Sequence, residues 1–307
     1  MASVQVVDQQ TAPESSIKIQ YCNLCGHDEH RPYCPENGRG LVQCSSCGLV
    51  FVQYQPAPDK LYQLYDNTYF QSDDSGEVGY TDYISDERNI RLTANRRLDH
   101  LAQYTDGGTL LDVGCAMGFF IDEAAKRGWQ VEGLDVSSFA TRYVSERFNH
   151  PSHNMSLLDL DPDQQRYDLI TLYDVIEHVP DPHAYIQHIA DLLTDGGVVE
   201  LATPDIHSLP ARLTGKRWIG YKLSEEHVYY FSEATLRRLL TEAGFEVIHT
   251  RHIGKHVTLS LFFDRLGFYV PPIAKLLERV VDLLGLSKRS LYVNPFDIIA
   301  VTARKKS

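Results

Sequence analysis

Residues 110–118 read LLDVGCAMG, and this stretch decides the fold. The short apolar run at its start is typical of a strand buried inside a parallel sheet. In the turn that follows, Gly114 can adopt backbone angles that other residues resist, and Gly118 lets a ligand approach the backbone. Residues 119–127 are predicted to form a helix whose N-terminus offers unpaired N–H groups. Taken alone, such a turn is a weak indication of function, because phosphate-binding proteins also use it.

Strands and helices continue to alternate outward from this turn. Short apolar runs predict further strands over residues 131–136, 167–173, 198–202, 245–250 and 297–302. Periodic apolar residues predict helices between them, two of which should be capped by Asp181 and Ser232. This alternation predicts an α/β, doubly wound, mostly parallel sheet with helices on both faces. Ligands of such sheets bind at the carboxyl ends of the strands, so we expect the functional residues there.

A second acidic residue lies where a nucleotide-binding fold requires one. Asp135 ends the predicted strand after the turn, 21 residues beyond Gly114. An acid about 20 residues after the turn can accept hydrogen bonds from ribose hydroxyls. Because dinucleotide enzymes show the same spacing, these residues leave both NAD and S-adenosylmethionine (SAM) open as cofactors.

Three segments resemble the class I SAM-dependent methyltransferases. LLDVGCAMGFFIDEAAKRGWQVEGLDVS resembles the first two motifs of that family, and YDLITLYDVIEHVPDP its fourth-strand segment. EEHVYYFSEATLRRLLTEAGFEVI is similar to the C-terminal part of the ubiquinone-biosynthesis-like branch. The resemblance covers roughly residues 80–250 and implies a Rossmann-like sheet of seven strands that binds SAM.

The resemblance also implies which residues hold the cofactor. Asp112 and Gly114 would line its methionine end, and Asp135 would hold its ribose. The full set of implied cofactor residues is Asp112, Gly114, Cys115, Ala116, Gly118, Asp135 and Tyr173. Ala116 is a departure, because the family usually has glycine at that position.

Four cysteines near the N-terminus form two CxxC pairs, Cys22 with Cys25 and Cys44 with Cys47. Two such pairs can complete a tetrahedron around Zn²⁺ and leave no open position, so we expect a structural zinc. The alternative is two reactive dithiols, which would require an adjacent strand–helix context that is absent from the sequence. The pattern CNLCG…CSSCGLVF resembles zinc-ribbon-headed methyltransferases that are often linked to sugar or secondary-metabolite modification.

Candidate catalytic residues follow the predicted strand at 167–173, which lies in the segment that resembles the family's fourth strand, and precede the helix at Ser232. His178 or His227 could take a proton from an acceptor hydroxyl, with Glu177 beside them. Asp174, Glu177, His178 and His227 also resemble the ExxEH…H metal site of small-RNA 2′-O-methyltransferases and of metal-assisted ubiquinone O-methyltransferases. A bound Mg²⁺ or another divalent ion would lower the pKa of the hydroxyl. A purely structural role for these side chains is the third alternative.

Composition restricts the partners. The 307 residues carry a net charge of -12, which argues against nucleic acid as the main partner. No apolar run is long enough to span a bilayer, and the N-terminus lacks the pattern of a secretory signal, so we expect a cytoplasmic protein.

The chain is predicted to consist of a disordered tail (residues 1–17), a zinc-ribbon module (18–55), a helical linker or lid (56–104) and a methyltransferase domain (105–307). Insertions at about 206–225 and 255–292 are expected to cover the site. The predicted function is SAM-dependent methylation of a small molecule, a sugar or a secondary metabolite, on oxygen. The alternatives are an RNA 2′-O-methyltransferase and an inactive methyltransferase scaffold that acts as a binding protein.

Overall fold

The computed structural model describes residues 16–34, 40–63, 83–221 and 226–306. Its strands, numbered in chain order, are β1 (Ser16–Lys18), β2 (His30–Pro32), β3 (Leu41–Cys44), β4 (Val50–Val52), β5 (Tyr54–Pro56), β6 (Thr109–Val113), β7 (Gln130–Asp135), β8 (Ser152–Asn154), β9 (Tyr167–Tyr173), β10 (Leu193–Pro204), β11 (Tyr229–Tyr230), β12 (Phe245–Thr258) and β13 (Ser290–Lys305). Its α-helices are α1 (Pro58–Gln63), α2 (Glu87–Leu101), α3 (Phe119–Lys126), α4 (Ser138–Phe148), α5 (Pro182–Leu192), α6 (Leu209–Thr214), α7 (Glu233–Glu242), α8 (Leu259–Gly267) and α9 (Pro271–Leu283).

Seven strands form the central sheet in the order β12-β13-β10-β9-β6-β7-β8. Strand β13 runs antiparallel to both of its neighbours, and the other adjacent pairs are parallel. The predicted doubly wound, mostly parallel sheet of seven strands is therefore confirmed. From β6 the chain first proceeds to β7 and β8 on one side and then returns to β9 on the other. This reversal opens a crevice at the carboxyl ends of β6 and β9, which is where such sheets bind ligands.

Side-chain caps fix the starts of the helices beside this crevice. The Asp181 carboxylate accepts a hydrogen bond from the backbone N–H of Ala184, and Pro182 occupies the first turn of α5. Ser232 and Thr235 form a reciprocal capping box at the start of α7. Both caps agree with the sequence prediction.

The cysteine-rich segment at 18–55, called the head below, shares a sheet with the rest of the molecule. A four-stranded sheet has the order β11-β4-β3-β2, in which Phe51 of β4 pairs with Tyr229 of β11. In addition, the Asn23 side chain donates a hydrogen bond to Asp181 and accepts one from the backbone N–H of His183. The head is thus joined to the larger domain by a shared sheet and at the N-terminus of α5.

Helices α8 and α9 fill most of the predicted insertion at 255–292, and they are poorly buried. Among their residues only Ala274 is buried, while large apolar side chains such as Ile273, Leu276 and Leu283 are exposed. No helix within the described ranges is both long enough and apolar enough to cross a membrane.

Candidate active site

A cavity of about 230 Å³ lies at the carboxyl ends of β6, β7 and β9. Six of the seven residues predicted to contact the cofactor line it: Asp112, Gly114, Cys115, Ala116, Asp135 and Tyr173. Gly118 does not line the cavity; it occupies the N-cap position of α3. Its part in the site is therefore to shape the turn.

The glycine turn has a geometry that only glycine fits at position 114. Gly114 has a φ of 73°, and a Cβ atom there would lie 2.5 Å from a methyl carbon of Val175. Both strain and a clash would follow from any side chain. Ala116, the departure from the family pattern, has a φ of 47°, so the turn places a non-glycine residue in left-handed backbone.

Asp112 is a buried carboxyl group on the floor of the cavity. Its Oδ1 atom accepts a hydrogen bond of 2.6 Å from the hydroxyl of Thr171 on the adjacent strand. Burial raises the pKa of Asp112 to about 7, although that hydrogen bond acts in the opposite direction. Asp112 is thus a carboxyl group whose charge changes near neutral pH.

Asp135 ends β7 and braces the glycine turn. Its two oxygens accept hydrogen bonds from the backbone N–H groups of Ala116, at 2.9 Å, and Ser137, at 2.8 Å. Burial raises the pKa of Asp135, and these hydrogen bonds partly offset the effect. Because a carboxylate has about four acceptor positions, it retains capacity for further donors such as ribose hydroxyls.

The wall opposite the glycine turn comes from α2 and β12 and was not assigned from the sequence. Thr93 and Arg97 of α2 line the cavity, together with Lys255 and His256 of β12. The Arg97 guanidinium lies 3.9 Å from the ring centroid of Tyr173. The predicted insertion at 255–292 therefore contributes its first residues to the site, whereas no described residue of 206–225 lines the cavity.

Glu177, His178 and His227 come together beside the cavity, which His178 lines. Each can offer one ligand atom, and these three atoms lie within 4.8 Å of one another. Glu177 and His227 are buried, and of the three only His178 lines the cavity. The Nδ1 atom of His178 lies 3.1 Å from the carbonyl oxygen of Glu226, and its Nε2 atom lies 4.0 Å from Oε1 of Glu177. The other ring nitrogen, Nε2, therefore points toward the centre of the group.

Burial shifts the pKa values of His178 and Glu177 in opposite directions. It lowers the pKa of His178 to about 4, so the imidazole is neutral at pH 7. Burial, reinforced by the negative charge of Asp174, raises the pKa of Glu177 well above its ordinary value. Neither oxygen of Glu177 has a partner with ordinary hydrogen-bond geometry among the described residues, although Thr203 lies near enough to favour the ionised form.

Asp174, the fourth predicted metal ligand, lies apart from that group. Its carboxylate forms an ion pair of 2.6 Å with Lys255. Burial alone would raise the pKa of Asp174, but the positive charges of Lys255 and Arg97 lower it below its ordinary value. The structure therefore brings together three of the four predicted ligands, whereas the carboxylate of Asp174 pairs with Lys255.

The four cysteines of the head converge on one point. The Sγ atoms of Cys22 and Cys47 lie 3.5 Å apart, as do those of Cys25 and Cys44. All four sulfur atoms lie within 4.8 Å of one another, and none forms a disulfide. Tetrahedral Zn–S bonds of ~2.3 Å place sulfur atoms about 3.8 Å apart, so this arrangement fits a zinc ion.

Comparison with known proteins gives consistent matches. Residues 86–250 match the family model described as a methyltransferase domain. The ubiquinone biosynthesis O-methyltransferase of Leptothrix cholodnii is 28% identical over 158 residues, which are 48% of this chain and 67% of that protein. The protein of the same name from Alkalilimnicola ehrlichii is 33% identical over 116 residues, which are 35% of this chain and 47% of that protein. The matched part of this chain thus spans between about half and two thirds of these relatives.

A similar fold occurs among solved structures. The SAM-dependent methyltransferase from Archaeoglobus fulgidus aligns with a TM-score of 0.50 and 14% identity, covering 73% of this chain and all of that one (100%). At this identity the match shows similarity of fold.

Proposed function

The chain belongs to the family of SAM-dependent methyltransferase domains, and from this premise we propose that it transfers the methyl group of SAM to a hydroxyl oxygen of a small molecule. The observation that carries the proposal is the position of His178. This neutral imidazole lines the same cavity as the glycine turn and the two buried acids Asp112 and Asp135. A cavity with acids on one side suits a cofactor that carries a positive sulfonium and an ammonium group.

The proposed chemistry balances with His178 as the proton acceptor. The hydroxyl oxygen forms a bond to the methyl carbon, the carbon–sulfur bond breaks, and its electron pair stays on sulfur. The hydroxyl proton passes to Nε2 of His178. If Nδ1 keeps its proton to donate to the carbonyl of Glu226, Nε2 is the basic nitrogen. Oε1 of Glu177 lies 4.0 Å from this nitrogen, but burial raises the pKa of Glu177 to about 8, so at pH 7 it would border the imidazole mostly as a neutral carboxyl group.

A divalent ion at Glu177, His178 and His227 is a second candidate for the same step. The observation that favours it is the pair of buried Glu177 oxygens, which have no ordinary hydrogen-bond partner among the described residues and lie near two imidazoles. One carboxylate and two imidazoles form a donor set used by several first-row divalent metals. When bound there, such an ion would lower the pKa of the acceptor hydroxyl.

We also propose that Cys22, Cys25, Cys44 and Cys47 hold a structural Zn²⁺. Support comes from the sulfur positions and from the lack of any disulfide among them. Four thiolates leave no position for substrate, so the ion would act by holding the head together. Because β4 of the head pairs with β11, which directly follows His227 and Val228, the zinc would indirectly support the histidine group.

The first test is a calorimetric titration of S-adenosylhomocysteine into the protein, followed by transfer assays with labelled SAM and hydroxyl-bearing acceptors. We expect micromolar binding, about -8 kcal/mol. His178→Ala should abolish transfer while leaving S-adenosylhomocysteine affinity unchanged. His207→Ala is the matched control, since His207 is exposed and lies outside the cavity. Transfer retained by His178→Ala would remove this residue from the mechanism.

The two versions of the mechanism differ in their response to chelation. Protein treated with chelator, and shown to keep its zinc, should lose activity only if a divalent ion acts at Glu177. Restoration by Mg²⁺ or Mn²⁺ would then support the metal version. Full activity after chelation would support His178 acting alone.

The remaining alternatives have their own outcomes. An RNA 2′-O-methyltransferase should bind RNA with a strong salt dependence, which the net charge of -12 opposes. An inactive scaffold predicts no affinity for S-adenosylhomocysteine in folded protein.

A further inference from the structure

A second cavity, of about 350 Å³, lies between α2 and the paired strands β12 and β13. Its volume falls in the range of ~300–1,000 Å³ that is typical of small-molecule pockets. Three arginines line it, Arg96, Arg97 and Arg251. Thr93 and Arg97 line both this cavity and the first one, so the two cavities are neighbours.

Aromatic rings and neighbouring strands hold the arginines in place. The guanidinium of Arg96 lies 4.0 Å from the ring centroid of Tyr292, and that of Arg97 lies 3.9 Å from the ring centroid of Tyr173. Stacking of this kind fixes the plane of a guanidinium and leaves its edge available to donate hydrogen bonds. The Nε atoms of Arg97 and Arg251 are buried and make no hydrogen bond within the described residues.

A buried carboxylate beside Arg251 already has its own partners. Glu200 is fully buried and accepts hydrogen bonds from the hydroxyls of Tyr173, at 2.7 Å, and Thr302, at 2.8 Å. It also forms an ion pair of 3.3 Å with Arg251. Arg251 and Glu200 therefore balance each other. Arg97 also acts on Asp112 and Asp174 of the first cavity, but Asp174 is already paired with Lys255. Arg96 and Arg97 therefore leave an excess of positive charge among the described residues.

Among the described residues, the other titratable groups that line this cavity do not cancel that excess. Asp99 lines the cavity, but its carboxylate pairs with Arg127 at 2.8 Å. Burial lowers the pKa of His100, so its imidazole is neutral at pH 7. In a chain with a net charge of -12, this cavity is a local site of positive charge.

We propose that this second cavity binds a phosphate or diphosphate group carried by the acceptor substrate. The inference rests on the proposed function, because it names the chemical class of the molecule whose hydroxyl is methylated. Guanidinium groups with fixed planes suit phosphate oxygens, which accept two parallel hydrogen bonds from one arginine. Since Arg97 lines both cavities, a phosphate held here places the rest of the same molecule toward the first cavity and His178.

Acidic side chains and arginines are thereby concentrated in different cavities. The first contains Asp112 and Asp135 and suits the positively charged cofactor. The second contains the arginines and suits an anionic acceptor. This division would also disfavour the binding of either molecule in the place of the other.

The test is a calorimetric titration of pyrophosphate, and separately of inorganic phosphate, into protein saturated with S-adenosylhomocysteine at fixed salt. We expect pyrophosphate to bind, and Arg96→Gln to weaken its binding by about tenfold or more. Arg96→Lys keeps the charge but loses the planar fork, so it should give an intermediate loss. The matched control is Arg88→Gln, which removes one positive charge from the same helix at an exposed position outside the cavity.

Three results would overturn the inference. One is no pyrophosphate binding to the complex with S-adenosylhomocysteine. Another is competition between the two ligands, which would assign the arginines to the carboxylate of the cofactor. The last is an equal loss of affinity in Arg88→Gln and Arg96→Gln, which would show an effect of overall charge. The titration of S-adenosylhomocysteine alone tests the proposed function, so failure of the phosphate site and failure of the methyltransferase proposal give different results.

Discussion

Binding of S-adenosylhomocysteine should release most of one proton at pH 6.5, and Asp112 should be its source. Burial raises the pKa of this carboxyl group to about 7. About 0.8 of the carboxyl groups are then protonated at pH 6.5, and about 0.1 at pH 8. An α-ammonium group bound beside Asp112 would stabilise the carboxylate and return its pKa toward the ordinary ~3.9. Release should therefore be large at pH 6.5 and nearly absent at pH 8.

The same shift has a consequence for stability. A carboxyl group whose pKa rises on folding contributes stability that is present at low pH and is lost as the pH rises through the folded-state pKa. For Asp112 the rise from 3.8 to about 7 corresponds to about 4 kcal/mol. Asp112→Asn keeps an oxygen that can accept from Thr171 but cannot ionise. It should raise the free energy of unfolding of the cofactor-free protein at pH 8 and have little effect near pH 4.

The assay is calorimetry in two buffers with different enthalpies of ionisation, because the difference in measured heat gives the number of protons released. Asp112→Asn should abolish the release and weaken cofactor binding by about 1.5–3 kcal/mol, the range for a hydrogen bond to a charged group. The reasoning is refuted if wild-type protein releases no proton at pH 6.5, or if Asp112→Asn releases as many.

Three further predictions concern the head, the contact of β7 with Cys115 and the histidine group. Cys22→Ser or Cys44→Ser should remove the single zinc from the purified protein and lower its melting temperature, whereas Cys115→Ala should leave the metal content unchanged; equal zinc in all three by elemental analysis would contradict the zinc site. Gly133→Ala would place a Cβ atom 2.7 Å from Sγ of Cys115, and the overpacking should cost about 1–3 kcal/mol in chemical denaturation. Adding Cys115→Ala to that chain should recover most of the loss, and failure to do so would show that the contact is not the cause. Glu177→Gln should stabilise the metal-free protein at pH 8 by about 1–3 kcal/mol, because burial raises the pKa of this carboxyl group and leaves its charge poorly compensated. A less stable Gln variant in the presence of chelator would contradict this account.

Local patterns were sufficient to predict six of the seven strands of the central sheet. Strand β9 was predicted at its observed bounds, Tyr167–Tyr173, because a continuous apolar run is the pattern of a strand buried on both faces. The caps at Asp181 and Ser232 were also predicted, since capping depends on residues within one turn. Helix α4 and strand β8 were not assigned. β8 consists of three polar residues at the edge of the sheet, so it has no apolar pattern to recognise.

The candidate site was predicted only where its residues follow a strand. The glycine turn and the acids at 112 and 135 lie at strand ends, and the fold rule places those ends together. The contributions of Arg97 and Lys255 come from elements whose packing depends on the whole sheet. In particular, nothing in the sequence near Asp174 shows that Lys255, 81 residues later, takes its carboxylate. The histidine group shares this difficulty, since His227 reaches Glu177 only through the fold.

The sheet shared between the head and the larger domain affects the order in which the two parts can fold during synthesis. Phe51 and its partner Tyr229 are separated by nearly 180 residues. A ribosome that adds ~5–20 residues per second needs roughly 10–40 s to cover this distance. During that interval the cysteine pairs have left the ribosome and can bind metal, while the edge of β4 that pairs with β11 has no partner strand. During synthesis the head would therefore hold its metal before its sheet is complete. Until β11 is made and pairs with β4, the incomplete sheet could bind chaperones or aggregate.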